Sequence, residues 1–213
     1  MGRLPSAQRR RQLVEAAIRV MTRDGVAQTT TRSICAEAGV SLSVFHYCFE
    51  SKQALVEAVM HTITAHSVTP VAEHLRPGRD VHESVVAALR TYWDHVRAHP
   101  AEHMLTYELT QYALRRPGFA YLAERQYEQY AAANRQLLDH LCTELDLVPV
   151  VPAEILVRYL TSVIDGLTLN YLVLGGGQEA AAVLDTLAEH LVGQVRPRAA
   201  AEEHAGDDSA VPG

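Results

Sequence analysis

Between Thr30 and Lys52 the chain gathers side chains suited to a nucleic-acid backbone and to base edges. Thr30, Thr31, Ser41, Tyr47 and Lys52 supply four hydroxyls and one ammonium, the groups that commonly meet phosphates. Lys52 is the only lysine of the chain and opens a helix, so its charge and the positive helix end act together on an anion. Leu42, Ser43 and His46, flanked by Val44, fall on the outward side of a short helix. From there Ser43 and His46 can bond to base edges or phosphates, and Leu42 and Val44 can pack on thymine methyls. The blander alternative is that the threonines and serines only cap helices and that Tyr47 is a core aromatic.

The elements that must position these groups are short. Thr30 or Thr31 caps a first helix whose inward stripe is Ile34, Cys35 and Ala38. Ala38-Gly39-Val40-Ser41 is a tight turn, in which glycine takes the left-handed conformation that reverses the chain. Ser41 caps a second helix, with Phe45 and Phe49 four apart on one face, and Ser51 caps a third. Two short helices joined by a glycine turn form a helix-turn-helix, whose second helix enters the DNA major groove.

These residues also resemble the signature of the TetR family of bacterial repressors, roughly T-T-x-x-I-A-x-x-A-G-V-S-x-x-x-x-Y-x-x-F-x-x-K-x-x-L. The matches are Thr30, Thr31, Ile34, Ala38, Gly39, Val40, Ser41, Phe49, Lys52 and Leu55. Cys35 stands at the family's Ala, and His46 at its Tyr. The resemblance implies that Arg32, at the start of the first short helix, reaches bases. An arginine gripping guanine through two hydrogen bonds is worth ~1–3 kcal/mol of discrimination.

Charge is distributed in keeping with this. Residues 1–60 hold eight Arg and Lys against five Asp and Glu, net +3, and the remainder holds 11 against 20, net −9. A basic front on an acidic body suits a protein that docks one end on phosphates. Arg9, Arg10 and Arg11, in the first turns of a helix starting near Ser6, extend that front toward a phosphate or the minor groove. At 213 residues and 48 % hydrophobic composition, a large core is possible. Three cysteines at 35, 48 and 142 lack metal spacing and fit a reduced thiol pool. With no leader and no apolar run long enough for a bilayer, the expectation is a soluble, cytoplasmic protein with no membrane contact.

Further along, the pattern is helical throughout and no segment reads as a strand, so the fold class is all-α. A long helix begins at Lys52 and runs to about residue 75, ended or kinked at Val68-Thr69-Pro70. Arg76-Pro77-Gly78-Arg79, His99-Pro100 and Arg116-Pro117-Gly118 break the chain again. Helices are expected over 81–98, 101–115, 119–145, 153–174 and 178–195, with a linker at Val148–Pro152. The 153–174 segment is apolar nearly all round, which demands burial on several sides, one of them a second subunit. Three domains result: residues 1–50 bind DNA, 51–195 sense a ligand and dimerise, and 196–213 are a disordered tail.

The family resemblance further implies a small-molecule cavity in the helical body. Tyr92, Trp93, Met104, Tyr107, Tyr112 and Tyr130, with the polar Gln126, Asn134, Asp165 and Asn170, are the candidate lining. Against this stands an ordinary aromatic core whose buried polar groups pair with one another. His95, His99 and His103 recur every four residues, but Pro100 interrupts them, so no metal is expected. Nucleophile-elbow, His-Glu-x-x-His and Walker patterns are absent, so neither an enzyme nor a cofactor is expected. The reading is a homodimeric repressor on a palindromic double-stranded operator, released by a small apolar or aromatic effector. A regulator controlled by a protein partner, one without a ligand and a metal-responsive repressor are the alternatives.

Overall fold

The computed structural model describes residues 5–74, 80–176 and 178–199. Among these are nine helices: α1 Ser6–Asp24, α2 Thr31–Ala38, α3 Leu42–Cys48, α4 Lys52–His74, α5 Val81–Ala98, α6 Pro100–Arg115, α7 Ala120–Glu144, α8 Ala153–Leu174 and α9 Gln178–Val192. The all-α class is observed, with one small addition. Leu147–Pro149 (β1) and Val195–Pro197 (β2) pair antiparallel, Val148 opposite Arg196. This three-residue ribbon lies around the stretch read as a linker and at the junction of the last helix and the tail: Arg196 and Pro197, expected to be disordered, pair with Val148 and Leu147. Such strands are too short to show an alternating pattern. The expected arm before residue 5, the break at 76–79 and the tail beyond residue 199 fall outside the described residues.

Two compact units make up the chain: Met1–His66 with Ala98–Glu128, and Ser67–Arg97 with Gln129–Gly213. In the first, α1 buries Leu13, Ala16, Ala17 and Met21 at helical spacing against Ile34 of α2, Phe45 of α3 and Val59 of α4. Leu105 and Leu109 of α6 and Leu122 of α7 belong to the same core. In the second, Leu89, Trp93 and Val96 of α5 pack with Leu156 of α8 and Leu184, Leu187 and Leu191 of α9.

Several local signals act as expected from sequence. Gly25, at φ +83°, ends α1. Pro100 opens α6 at the first helical position, where its missing N–H costs nothing. Pro70 behaves differently: α4 continues to His74, so the proline does not end it. Proline removes one bond from the ladder, and in a 23-residue helix the turns on either side persist. Pro5, rather than Ser6, sits at the cap position of α1.

Candidate nucleic-acid interface and helical interior

The two short helices are built for rigidity. Thr30 accepts from the Ser33 N–H while Ser33 Oγ accepts from the Thr30 N–H, a reciprocal cap on α2. Gly39 follows α2 in the left-handed region (φ 64°, ψ 35°), and its N–H reaches back to the carbonyls of Ala36 and Cys35. Ser41 then precedes α3 without capping it; its hydroxyl lies 2.8 Å from that of Ser43. Phe45 is the buried anchor of α3.

Helix α1 fixes the pair from behind. Gln12 Nε2 donates to the Ala38 carbonyl (2.7 Å) and Arg10 Nη1 to the Cys48 carbonyl (2.8 Å), one bond at the end of each short helix. Arg10 also stacks over Phe49, 4.1 Å from its centroid. Arg19 and Arg23 both bond Glu37, whose carboxyl is held below the ordinary glutamate value first by Arg19 and then by Arg23. Of the arginine triplet, Arg9 bonds Gln12, Arg10 is engaged as above, and Arg11 is exposed.

With Phe45 inward, Leu42, Ser43, His46 and Tyr47 face outward, and Val44 is half-buried. Tyr47 is 67 % exposed, so it is not a core aromatic. Thr30 and Arg32 are exposed at the start of α2, with Thr31 half-buried beside them. Lys52 is turned inward: its ammonium donates to the Thr29 carbonyl at 2.5 Å. Burial first, and the Arg116 guanidinium second, hold it below the ordinary lysine value.

One contact here had no sequence signal. Glu108 of α6 accepts the backbone N–H of Val26, in the turn after α1, at 2.6 Å. Eighty-two residues separate the partners, and no local periodicity marks such a pair. Arg116 was likewise legible only as part of a chain break, yet it lies 5.4 Å from the Tyr112 ring and donates to that hydroxyl at 2.8 Å.

The expected ligand-lining residues divide between the two units. In the second, Tyr92 of α5 lies 3.2 Å from the Thr168 hydroxyl of α8, and Asn134 of α7 donates to Thr161 of α8 at 3.0 Å. Burial pushes the Tyr92 phenol well above the ordinary tyrosine value; the Thr168 bond opposes this, and Tyr130 and Asp165 add to it. Tyr130 and Asp165 therefore lie within electrostatic reach of the Tyr92 hydroxyl, and Asn134 meets the same helix α8 at Thr161; all four are half-buried. Trp93 packs edge-on to Tyr171, 5.1 Å between centroids. Asn170 is exposed, lining a groove of about 640 Å³ with Ser162, Gly166, Tyr171, Leu174 and Val183.

In the first unit, Gln126 of α7 is 2 % exposed, with its Oε1 2.9 Å from the Thr110 hydroxyl of α6. Tyr107 is half-buried, Tyr112 lies beneath Arg116, and Met104 is 47 % exposed. His95 is on α5, while His103 is on α6 beyond Pro100. Among the described residues no group of three or more His, Cys, Asp or Glu is arranged to hold a metal, and no helix is long and apolar enough to cross a membrane.

Two family descriptions match this chain. Residues 13–59 match the bacterial regulatory proteins of the tetR family, and residues 81–196 match the C-terminal part of the BetI-type transcriptional repressors. The nicotine-responsive transcriptional repressor HdnoR of Paenarthrobacter nicotinovorans is 27 % identical over 169 residues, 79 % of this chain and 86 % of that protein. A crystal structure of the multidrug binding protein EbrR complexed with ethidium is 26 % identical, with a TM-score of 0.65 over 85 % of this chain and 97 % of that one. A TetR transcription regulator from Haloarcula marismortui, 19 % identical, shares the fold at a TM-score of 0.71 over 89 % of this chain and 100 % of that one.

Proposed function

This chain belongs to the tetR family as a helix-turn-helix transcriptional repressor, and from that premise we propose that it acts in the cytoplasm as a homodimer on a palindromic operator, released by a small aromatic effector. The observation that carries the DNA-binding half is the outward face of α3, where Leu42, Ser43, His46 and Tyr47 stand clear of the core that Phe45 anchors. In this reading Ser43 and His46 reach base edges, and Leu42 and Val44 meet thymine methyls. Arg32 grips a base from the start of α2, and Thr30, Thr31, Ser41, Tyr47 and Lys52 serve the phosphates. Residues 1–50 are the DNA-binding part, and residues 51–195 dimerise and sense the effector.

Dimerisation is supported by the apolar side chains that α8 and α9 leave in solvent. Val173 is 70 % and Leu174 78 % exposed, with Ile155, Leu169 and Val183 also open. A second copy laid against the same face would bury them, the self-complementary arrangement of a twofold pair. To bind a palindrome such a dimer must present two recognition helices ~34–36 Å apart, one turn of DNA.

The effector reading draws on the Tyr92, Tyr130, Asn134 and Asp165 region, where aromatic rings meet a few polar groups. A nicotine-responsive relative and a structural neighbour holding ethidium support an aromatic, nitrogen-bearing molecule. Such a molecule acts by population shift: it releases DNA only to the extent that it binds better to the conformation whose heads no longer match successive grooves. The test is operator binding by purified protein across a panel of aromatic amines, beside thermal unfolding. Compounds that raise the melting temperature and weaken operator binding together support the reading. Operator binding unchanged by any stabilising compound would refute it.

A further inference from the structure

The cations of the first unit fall into two groups. Arg19 and Arg23 are paired with Glu37, and Arg125 with Glu57. Arg9, Arg10, Arg11, Arg32, Lys52, Arg115 and Arg116 have no ion pair with a carboxylate among the described residues. Lys52 and Arg116 nevertheless share one aromatic ring. Lys52 Nζ lies 5.8 Å and Arg116 Cζ 5.4 Å from the centroid of Tyr112, and Arg116 is a further 5.0 Å from that of Phe119. The fold holds this pair in place from both sides: Gln53, next to Lys52, donates to the Gly118 carbonyl of the α6–α7 turn at 3.0 Å.

Two like charges fixed at one ring repel, and among the described residues neither makes an ion pair with a carboxylate. Their location gives the reason a specific form. Lys52 is the first residue of α4, and its ammonium bonds the carbonyl of Thr29, the residue before the Thr30 cap of α2. Two helix N-termini and two cations therefore converge, and each favours an anion. Lys52 spends one of its three donors on Thr29, and Arg116 spends one of its five on the Tyr112 hydroxyl. Donors remain on both for phosphate oxygens. Arg116 and its neighbour Arg115 are exposed, as are Thr30 and Arg32 at the start of α2.

We infer that Arg116, in the turn after α6 and outside the helix-turn-helix, contacts a backbone phosphate of the operator together with Lys52. The inference rests on the DNA-binding reading above. It extends the DNA-contacting surface from α2, α3 and the start of α4 to the α6–α7 turn, and it gives the Lys52–Tyr112–Arg116 stack a purpose beyond packing.

Each phosphate contact adds ~0.9 to the slope of log affinity against log salt. The experiment measures that slope for the full-length protein on its selected operator fragment. Arg116→Gln and Arg116→Met, the second keeping an apolar stem against Phe119, should each lower the slope by ~2 for a dimer with one contact per subunit. Arg116→Lys should keep it, and so should Arg90→Gln, which removes a charge paired with Asp185 instead. Circular dichroism establishes that each variant is folded, so that the one neutral variant that folds suffices. Weaker binding with an unchanged slope in the neutral variants would make Arg116 a packing residue and overturn the inference, as would no change at all. A wild-type protein that retains no DNA would instead overturn the DNA-binding reading, and this inference with it.

Discussion

Replacing Glu108 probes a side-chain bond that α6 makes to the turn after α1. Val26 is fully buried and Glu108 half-buried, so once the acceptor is gone water reaches the Val26 N–H only through the space the side chain vacates. Leaving a buried donor unmet costs ~1–3 kcal/mol, so Glu108→Ala should destabilise by about 2 kcal/mol. Glu108→Gln keeps an acceptor but loses the charge-assisted part of the bond, a cost of about 1 kcal/mol. Gly25 supplies an internal check. Its φ is +83°, and a Cβ there would stand 3.3 Å from the same Glu108 oxygen. With ψ at 155°, Gly25 lies in an extended positive-φ region that only glycine adopts readily, so Gly25→Ala carries a backbone penalty of ~1–3 kcal/mol together with displacement of the carboxylate. In the double variant with Glu108→Ala the second cost disappears, so the two effects should sum to less than their separate values. Equilibrium urea unfolding at one fixed protein concentration measures all four proteins, because a dimer's apparent stability depends on concentration. An Ala effect below ~0.5 kcal/mol with an additive double variant would mean that the bond is not made in solution.

Other outcomes follow from the same geometry. Gly39→Asn should cost less than Gly39→Ala in thermal unfolding, since no atom lies within 4 Å of an added Cβ and only the left-handed backbone is penalised; equal losses of several kcal/mol would point to a steric clash instead. Thr30→Ala should lose about 1 kcal/mol of stability with the reciprocal cap, measured by urea unfolding, whereas Ser41→Ala, which removes no cap bond, should lose less. Thiol labelling near neutral pH should reach the half-buried Cys48 before Cys35 and Cys142, because burial raises both of those thiols and keeps them protonated; mass spectrometry of the first adduct decides it.

The helix-turn-helix was legible because its signals are local. Thr30 capping, Gly39 reversing the chain and Phe45 turned to the core each act within a few residues, and the observed boundaries of α2 and α3 follow them. The α8 limits, Ala153 to Leu174, could be read from Pro152 and Gly175 on either side of one apolar run. Long-range partnerships carry no such mark. Nothing near Glu108 announces Val26, and nothing near Lys52 announces that its charge turns to Thr29 and shares Tyr112 with Arg116. Aromatic and polar types selected the candidate lining residues, but type alone does not say which rings share a region. Tyr92, Tyr130 and Asp165 lie near one another in the second unit, to which Asn134 also belongs, whereas Tyr107, Tyr112 and Gln126 belong to the first. Pro70 shows the converse, a local breaker that the surrounding helix absorbs.

The most direct test of the account is to sequence the DNA that the full-length protein retains from a random pool at near-physiological salt. A twofold dimer with one recognition helix in each of two successive major grooves should enrich a palindrome with half-site centres ~10–10.5 base pairs apart, or a multiple of that. Enrichment of a single asymmetric half-site, or of no sequence, would contradict it.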